Sequence, residues 1–332
     1  MSLFAKKTKS RKLLIFLLSV VVLIFAVYFA MGFISGKKSV NEPSTDNPIT
    51  LQDKENCQLA FVALADTQLY PAVNDMRMLE YGFKDMANAE CEFDALLIAG
   101  DIAEMGDKRT YKNIWEEIDK SIFANKNVLL ATGNHDIRIR YKRNTKLVMN
   151  KAGEYNNREI NTPYYSQDIN GYTFIVMNSD AWQFEKAIIS DEQLSFLDSE
   201  IARGTKGGKP VFVICHQPLT NTHGLPEVWK NGDLGEDSAQ VKEIFTKYKN
   251  VFYLNGHLHD GIYENSLEIF DEEKGVYSIN LPSFGPVNDY GEYLQRGLGN
   301  FVEVYSDRVV FTARDFLAGE PLEGYTKTFE LK

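Results

Sequence analysis

VLLATGNHD, residues 128–136, is an apolar run that passes through Thr132 and Gly133 straight into Asn134, His135 and Asp136. A short aliphatic stretch closed by glycine reads as a buried strand. Open α/β sheets bind their ligands outside the carboxyl ends of such strands. The pattern recurs along the chain. FVALA 61–65 leads into Asp66 and Gln68, LLIA 96–99 into Asp101, VFVIC 211–215 into His216, and VFYLN 251–255 into His257 and His259. Helix-like segments, Met76–Ala89 and Tyr111–Phe123, separate the early runs, and Ser190 to Gln193 forms a capping box opening a helix through Leu197 to Ile201. With Phe174–Met177 as a further strand, the alternation predicts a layered α/β fold with buried parallel strands. After Gly261 the texture becomes Leu267–Phe270, Val276–Asn280, Phe301–Tyr305 and Val309–Ala313, which reads as an antiparallel meander. No internal repeat is present, and nothing divides residues 57–332.

Turn preference accounts for Asp, Asn and Gly after any single strand. It does not account for histidine: four of the five in the chain, His135, His216, His257 and His259, fall in these clusters. Carboxylate, amide and imidazole donors together suit divalent transition metals, and the set is large enough for a pair of ions.

The ordered motifs D-x-Q, G-D, G-N-H-D, H-x-P and G-H-x-H, spread over residues 59–260, resemble the calcineurin-like metallophosphoesterases. The resemblance implies a four-layer α/β/β/α sandwich that hydrolyses a phosphomonoester or phosphodiester with a metal-bridging hydroxide. It implies that Asp101 bridges two divalent ions, with Asp66, Gln68 and His259 at one and Asn134, His216 and His257 at the other. His135 would protonate or stabilise the leaving oxygen, oriented by Asp136. Two ions about 3.5–4 Å apart clamp the phosphoryl oxygens during in-line attack. One position departs from the pattern, which usually reads D-x-H where Gln68 stands. An amide oxygen is a harder, weaker donor than imidazole, so Mn²⁺ or Fe²⁺ is favoured, with Mg²⁺ and Zn²⁺ also accommodated. Gln68 either coordinates directly or acts through a water, or the first site fills only in part.

Composition bounds the rest. The 332 residues carry a formal charge of −10, but residues 1–40 hold +7 and the remainder −17. The uncharged stretch 13–34 is long enough as a helix to span a hydrocarbon core of about 30 Å; the rival reading, a cleaved signal peptide, usually has a shorter apolar run and a small-x-small site, which does not follow here. Basic flanks heavier on the amino-terminal side place that end in the cytoplasm. The expected organisation is a basic tail (1–12), a transmembrane helix (13–34), a flexible stalk (35–56) and an outward-facing catalytic domain (57–332). The acidic domain argues against nucleic-acid partners, DNA ends included. A small phosphate ester, such as a nucleotide or an envelope phosphate compound, is the expected substrate. The alternative is a non-catalytic surface binding protein retaining the fold, which would have no need of His135. Arg138 and Arg140 open a basic run (with Lys142, Arg143 and Lys146) that reads as a solvated face or as an anion-holding element. His223 reads as a surface-loop histidine, with a place on the substrate cleft as the alternative, and the glycine-rich loop 283–299 as a rim or a plain connection. Cys57 and Cys91 lie nine and ten residues before Asp66 and Asp101. That spacing puts both at the opposite ends of neighbouring strands, a bridging arrangement in an oxidising exterior.

Overall fold

The computed structural model describes residues 40–224, 232–259, 262, 266–287 and 296–332, with five isolated positions before them (Phe16, Ser19, Val20, Val22 and Leu23). The predicted tail and transmembrane helix otherwise lie outside the described residues. Among the described residues no helix is long and apolar enough to cross a membrane.

Two six-stranded sheets form the centre of the molecule. The first runs β12 (Glu320–Glu330), β11 (Arg308–Asp315), β10 (Leu298–Val304), β1 (Leu59–Leu64), β2 (Ala95–Ala99) and β3 (Asn127–Ala131). The second runs β4 (Tyr165–Ile169), β5 (Tyr172–Val176), β6 (Val211–Ile214), β7 (Val251–Asn255), β9 (Val276–Asn280) and β8 (Leu267–Asp271). Every residue of β1, β2, β5, β6 and β7 is buried. Continuous apolar runs are needed because both faces of these strands are covered. Between the sheets Phe61 meets Phe174 and Phe212 edge-on at 5.2 and 5.1 Å, and Phe252 stacks with Phe212 and Phe311. On the outer side of the first sheet lie apolar residues of α1 (Val73–Ala87), α2 (Lys108–Lys120) and α4 (Tyr141–Tyr155). The second sheet packs Val211, Val213 and Cys215 with Leu197 and Ile201 of α5 (Asp191–Gly204) and Val241 and Phe245 of α6 (Ser238–Lys247). A one-turn helix, α3 (Asn134–Ile137), follows β3.

Parallel pairing fixes the rim. Leu64 lies opposite Ile98, and Ala99 opposite Ala131; in the second sheet Val176, Ile214, Leu254 and Ile279 fall in one row. Every strand-end cluster seen in the sequence therefore emerges on the same side.

Three sequence expectations are corrected. The late strands are not one meander: β8 and β9 join the second sheet, with β9 parallel to β7, while β10–β12 extend the first sheet antiparallel to one another. Residues 40–56 are no free stalk. Ile49 is 1% exposed in the core, Ser44 N–H donates to Ala318 O, Glu90 N–H to Ile49 O, and Gln52 N–H to Glu303 Oε1. One deeply buried isoleucine and a set of backbone bonds hold this polar segment as an arm across the domain. Cys57 and Cys91 are free thiols. Burial, and then the nearby Cys57 sulfur, pushes the Cys91 thiol up to about 11.

Candidate metal centre

The ligand-bearing turns are cramped by design. Asp66, Gln68, Asp101, His257 and His259 all hold positive φ, from 38° to 74°. Such backbone is uncommon for residues with a side chain and costs of order 1–3 kcal/mol each. The surrounding strands enforce it: Asp66 N–H bonds Gly100 O, and Gln68 N–H bonds Asp101 O. Glycine permits the close approach. A Cβ on Gly133 would stand 2.1 Å from Asp101 Oδ1, and one on Gly256 2.5 Å from Asp66 Oδ2.

Side chains from both sheets meet here. His216 Nε2 lies 3.2 Å from Asp101 Oδ2, 3.1 Å from Asn134 Oδ1 and 3.8 Å from Asp66 Oδ1, and His259 Nε2 lies 3.3 Å from Asp66 Oδ1. Asp101, His216 and His257 present ligand atoms within 4.8 Å of one another. His216 Nδ1 bonds Ala99 O at 2.8 Å, which leaves Nε2 to face the carboxylates, the orientation of a metal-ligating imidazole. Gln68 Oε1 is buried and has no hydrogen-bond partner among the described residues. A buried amide oxygen left bare is costly in water-free surroundings, and a cation at this point would satisfy it. The donor set therefore fits divalent ions.

Electrostatics agree. Burial alone would raise the Asp101 carboxyl, but the imidazoles of His216 and His135 override it and hold it below the usual carboxylate range. Burial likewise disfavours a charged His216, yet Asp101 and then Asp66 lift it to about 10. His257, buried beside His216, is pushed well below its ordinary value. Two buried carboxylates beside these imidazoles thus favour positive charge in the site. Cation binding at such a site displaces protons.

The family model for calcineurin-like phosphoesterases matches residues 60–261, a span that starts in β1 and ends just past His259. The chain belongs to this family. The calcineurin-like phosphoesterases are metal-dependent, consistent with the cluster above. A curated relative, the probable cyclic nucleotide phosphodiesterase of Rhodococcus erythropolis, is 26% identical over 199 residues, covering 59% of this chain. The chain spans 61% of that relative's length. Among solved structures, the purple acid phosphatase PPD1 from yellow lupin (Lupinus luteus) seeds aligns with a TM-score of 0.56 at 13% identity, covering 81% of this chain and 53% of that one. This second likeness speaks to the fold alone.

Within the family frame, Asp136 and His223 stand elsewhere than expected, and Arg138 and Arg140 divide between the two readings of their basic run. Asp136 does not touch His135. Its carboxylate accepts from Ile102 N–H, Ala103 N–H, Gly133 N–H and the Tyr111 hydroxyl, at 2.7 to 3.0 Å, and so locks the G-N-H-D turn to the end of β2. Glu104 takes the orienting place: its Oε2 is 3.1 Å, and its carbonyl oxygen 3.0 Å, from His135 Nδ1. Burial lowers His135, but the Asp101 charge and the Glu104 bond outweigh it and bring it to about 9. His223 is 1% exposed, far from a surface position; its Nε2 meets Ser278 Oγ at 2.8 Å, in a network that continues through Asn255 to Asn280. Arg140 is exposed at the start of α4, whereas Arg138 Nη2 stands 3.2 Å from His135 Nε2 and 3.1 Å from Glu185 Oε1.

Glu185 was invisible in the sequence, lying in an unpatterned loop between β5 and α5. It accepts from Asn134 Nδ2, which turns the Asn134 oxygen towards His216. The loop from Ser283 does reach the rim, through Phe284 N–H to Ala65 O and Gly285 N–H to Asp66 O; its residues 288–295 lie outside the described residues.

Glu104→Gln is expected to lower kcat for phosphoester hydrolysis about a hundredfold, the lower end of what a positioned acid supplies. Thermal stability should change little. Asp136→Asn should do the reverse, lowering the melting temperature because four hydrogen-bond donors lose a charged acceptor. Kinetics and melting curves on the two variants decide it: a kcat loss confined to Asp136→Asn would return the orienting role to that residue.

Proposed function

We propose that the chain hydrolyses a phosphodiester at a two-cation centre on the outer face of a membrane. The observation that carries the reading is the convergence of Asp66, Asp101, Asn134, His216, His257 and His259, with a bare, buried Gln68 oxygen two residues beyond Asp66. Asp66, Gln68 and His259 would hold one ion, Asn134, His216 and His257 the other, and Asp101 both. Bound divalent ions supply Lewis-acid stabilisation of phosphoryl charge and activation of water. Around them the protein does the rest. Glu104 fixes the His135 ring, which would serve the departing oxygen, and Arg138 adds positive charge beside it. The diester preference leans on the name of the Rhodococcus relative. The outward location leans on the sequence of residues 13–34 and its basic flanks, with Phe16, Val20, Val22 and Leu23 helical and exposed.

Full-length protein stripped with a chelator should lose turnover of bis(4-nitrophenyl) phosphate. Mn²⁺ or Fe²⁺ should restore it better than Zn²⁺, at two ions per chain. In intact cells, external protease should abolish hydrolysis of the same added diester. Two bound ions without turnover of any mono- or diester would favour a binding protein of this fold instead.

A further inference from the structure

The loop that delivers Glu185 carries two aromatic side chains that packing does not explain. From residue 40 onward, Trp182 and Phe184 are the only described Phe or Trp residues that are exposed, at 52% and 56%. Both are nonetheless fixed. Trp182 Nε1–H donates to Arg138 O at 2.9 Å, and the Arg138 guanidinium lies 4.9 Å from the Phe184 ring centre. Arg138 in turn reaches His135 Nε2 at 3.2 Å. The exposed apolar surface, to which neighbouring Ile139 adds at 48%, therefore begins one side chain away from the proposed acid. An aromatic pair held in place yet open to water is surface kept for a ligand. Its chemistry suits a flat ring, which stacks without requiring a particular pattern of hydrogen bonds.

We propose that Trp182 and Phe184, joined to the centre through Arg138, form a subsite for a planar aromatic ring on one ester group. The substrates are then phosphodiesters of nucleosides or aryl alcohols. Arg138 touches both parts: its guanidinium lies against the Phe184 ring and its Nη2 reaches His135. The subsite lies on the loop that orients Asn134, so ring binding and cation binding share one support. This inference rests on the phosphodiesterase reading above.

A matched pair of substrates tests it: the methyl ester of adenosine 5′-monophosphate, and ribose 5-(methyl phosphate), which lacks only the base. Bis(4-nitrophenyl) phosphate adds an aryl arm. In Trp182→Ala the kcat/KM advantage of ringed over ringless diester should shrink about tenfold, the scale of one lost stacking contact. Trp182→Phe should recover most of it, and Phe184→Ala should act in the same direction. A loss confined to the adenosine ester assigns a nucleobase, and a loss on both ringed esters assigns aromatic rings generally. An advantage that survives Trp182→Ala, or a loss equal on all substrates, overturns the proposal. Should no diester be turned over, calorimetric titration of the full chain with adenosine 5′-monophosphate against ribose 5-phosphate still decides. Tighter binding of the former, abolished by Trp182→Ala, upholds the subsite while the hydrolytic reading fails. Equal affinities reject the subsite.

Discussion

Asp101→Asn is expected to lower kcat for phosphoester hydrolysis about a thousandfold, because in the proposed two-cation centre several kcal/mol of transition-state charge stabilisation would depend on the paired cations. Asp101 sits where the demands of the site coincide. Oδ2 faces His216 and His135, and Oδ1 accepts the His135 backbone N–H at 2.7 Å. Asparagine keeps the shape and an oxygen for that backbone bond, so the fold should survive. What disappears is the charge that draws cations between the two sheets. Metal content should fall along with turnover, which elemental analysis of the purified variant reads directly. An Asp101→Asn protein with wild-type turnover would end the two-cation account.

Asp85→Ala is expected to destabilise the domain by about 3–5 kcal/mol, the usual cost of leaving a buried charge without its partner. Arg314, 1% exposed on β11, grips both Asp85 oxygens on α1 at 2.6 Å, and its Nη2 also donates to Asn47 O at 2.7 Å. Removing the carboxylate strands the guanidinium in the core. Urea unfolding measures the loss. The double variant Asp85→Leu with Arg314→Met should recover most of it, since apolar replacement of a whole buried pair is often near neutral. A loss below about 1 kcal/mol in Asp85→Ala would mean that water reaches the pair.

The parts of the fold legible in the sequence were those where one strand does two jobs. Val128–Ala131, Leu96–Ala99 and Val251–Asn255 are apolar because both their faces are covered, and each runs directly into ligand chemistry. Edge strands gave no such signal. β4 (YSQDI) alternates with polar residues, and β12 carries Pro321 and Gly324 with much of its length exposed. The helix α4 hid within a basic run, since its buried positions, Thr145, Val148, Met149 and Ala152, lie among lysines and arginines. Within the site, residue types could be read but contacts could not. Asp136 is adjacent to His135 in sequence yet serves Tyr111 and three backbone donors. Glu104 reaches the imidazole from the turn after β2, 31 residues earlier in the chain than His135, a turn that opens on positive φ at Asp101. His223 is buried through Ser278 and Asn255, partners tens of residues away that local pattern does not disclose.

The arm formed by residues 40–56 would decide how the domain takes a pull from the proposed anchor at residues 13–34. A pull arriving along the chain from before residue 40 does not meet β1 first. It meets Ser44 on Ala318, Asn47 on Arg314, and Ile49 on Glu90 and in the core. The force is thus spread over the loop after β11, β11 itself and the segment following α1 before it reaches the central strand. The Asp85–Arg314 clasp passes part of it from sheet to helix. A load entering by this arm would thus be taken first by β11 and the loop after it, two strands away from β1.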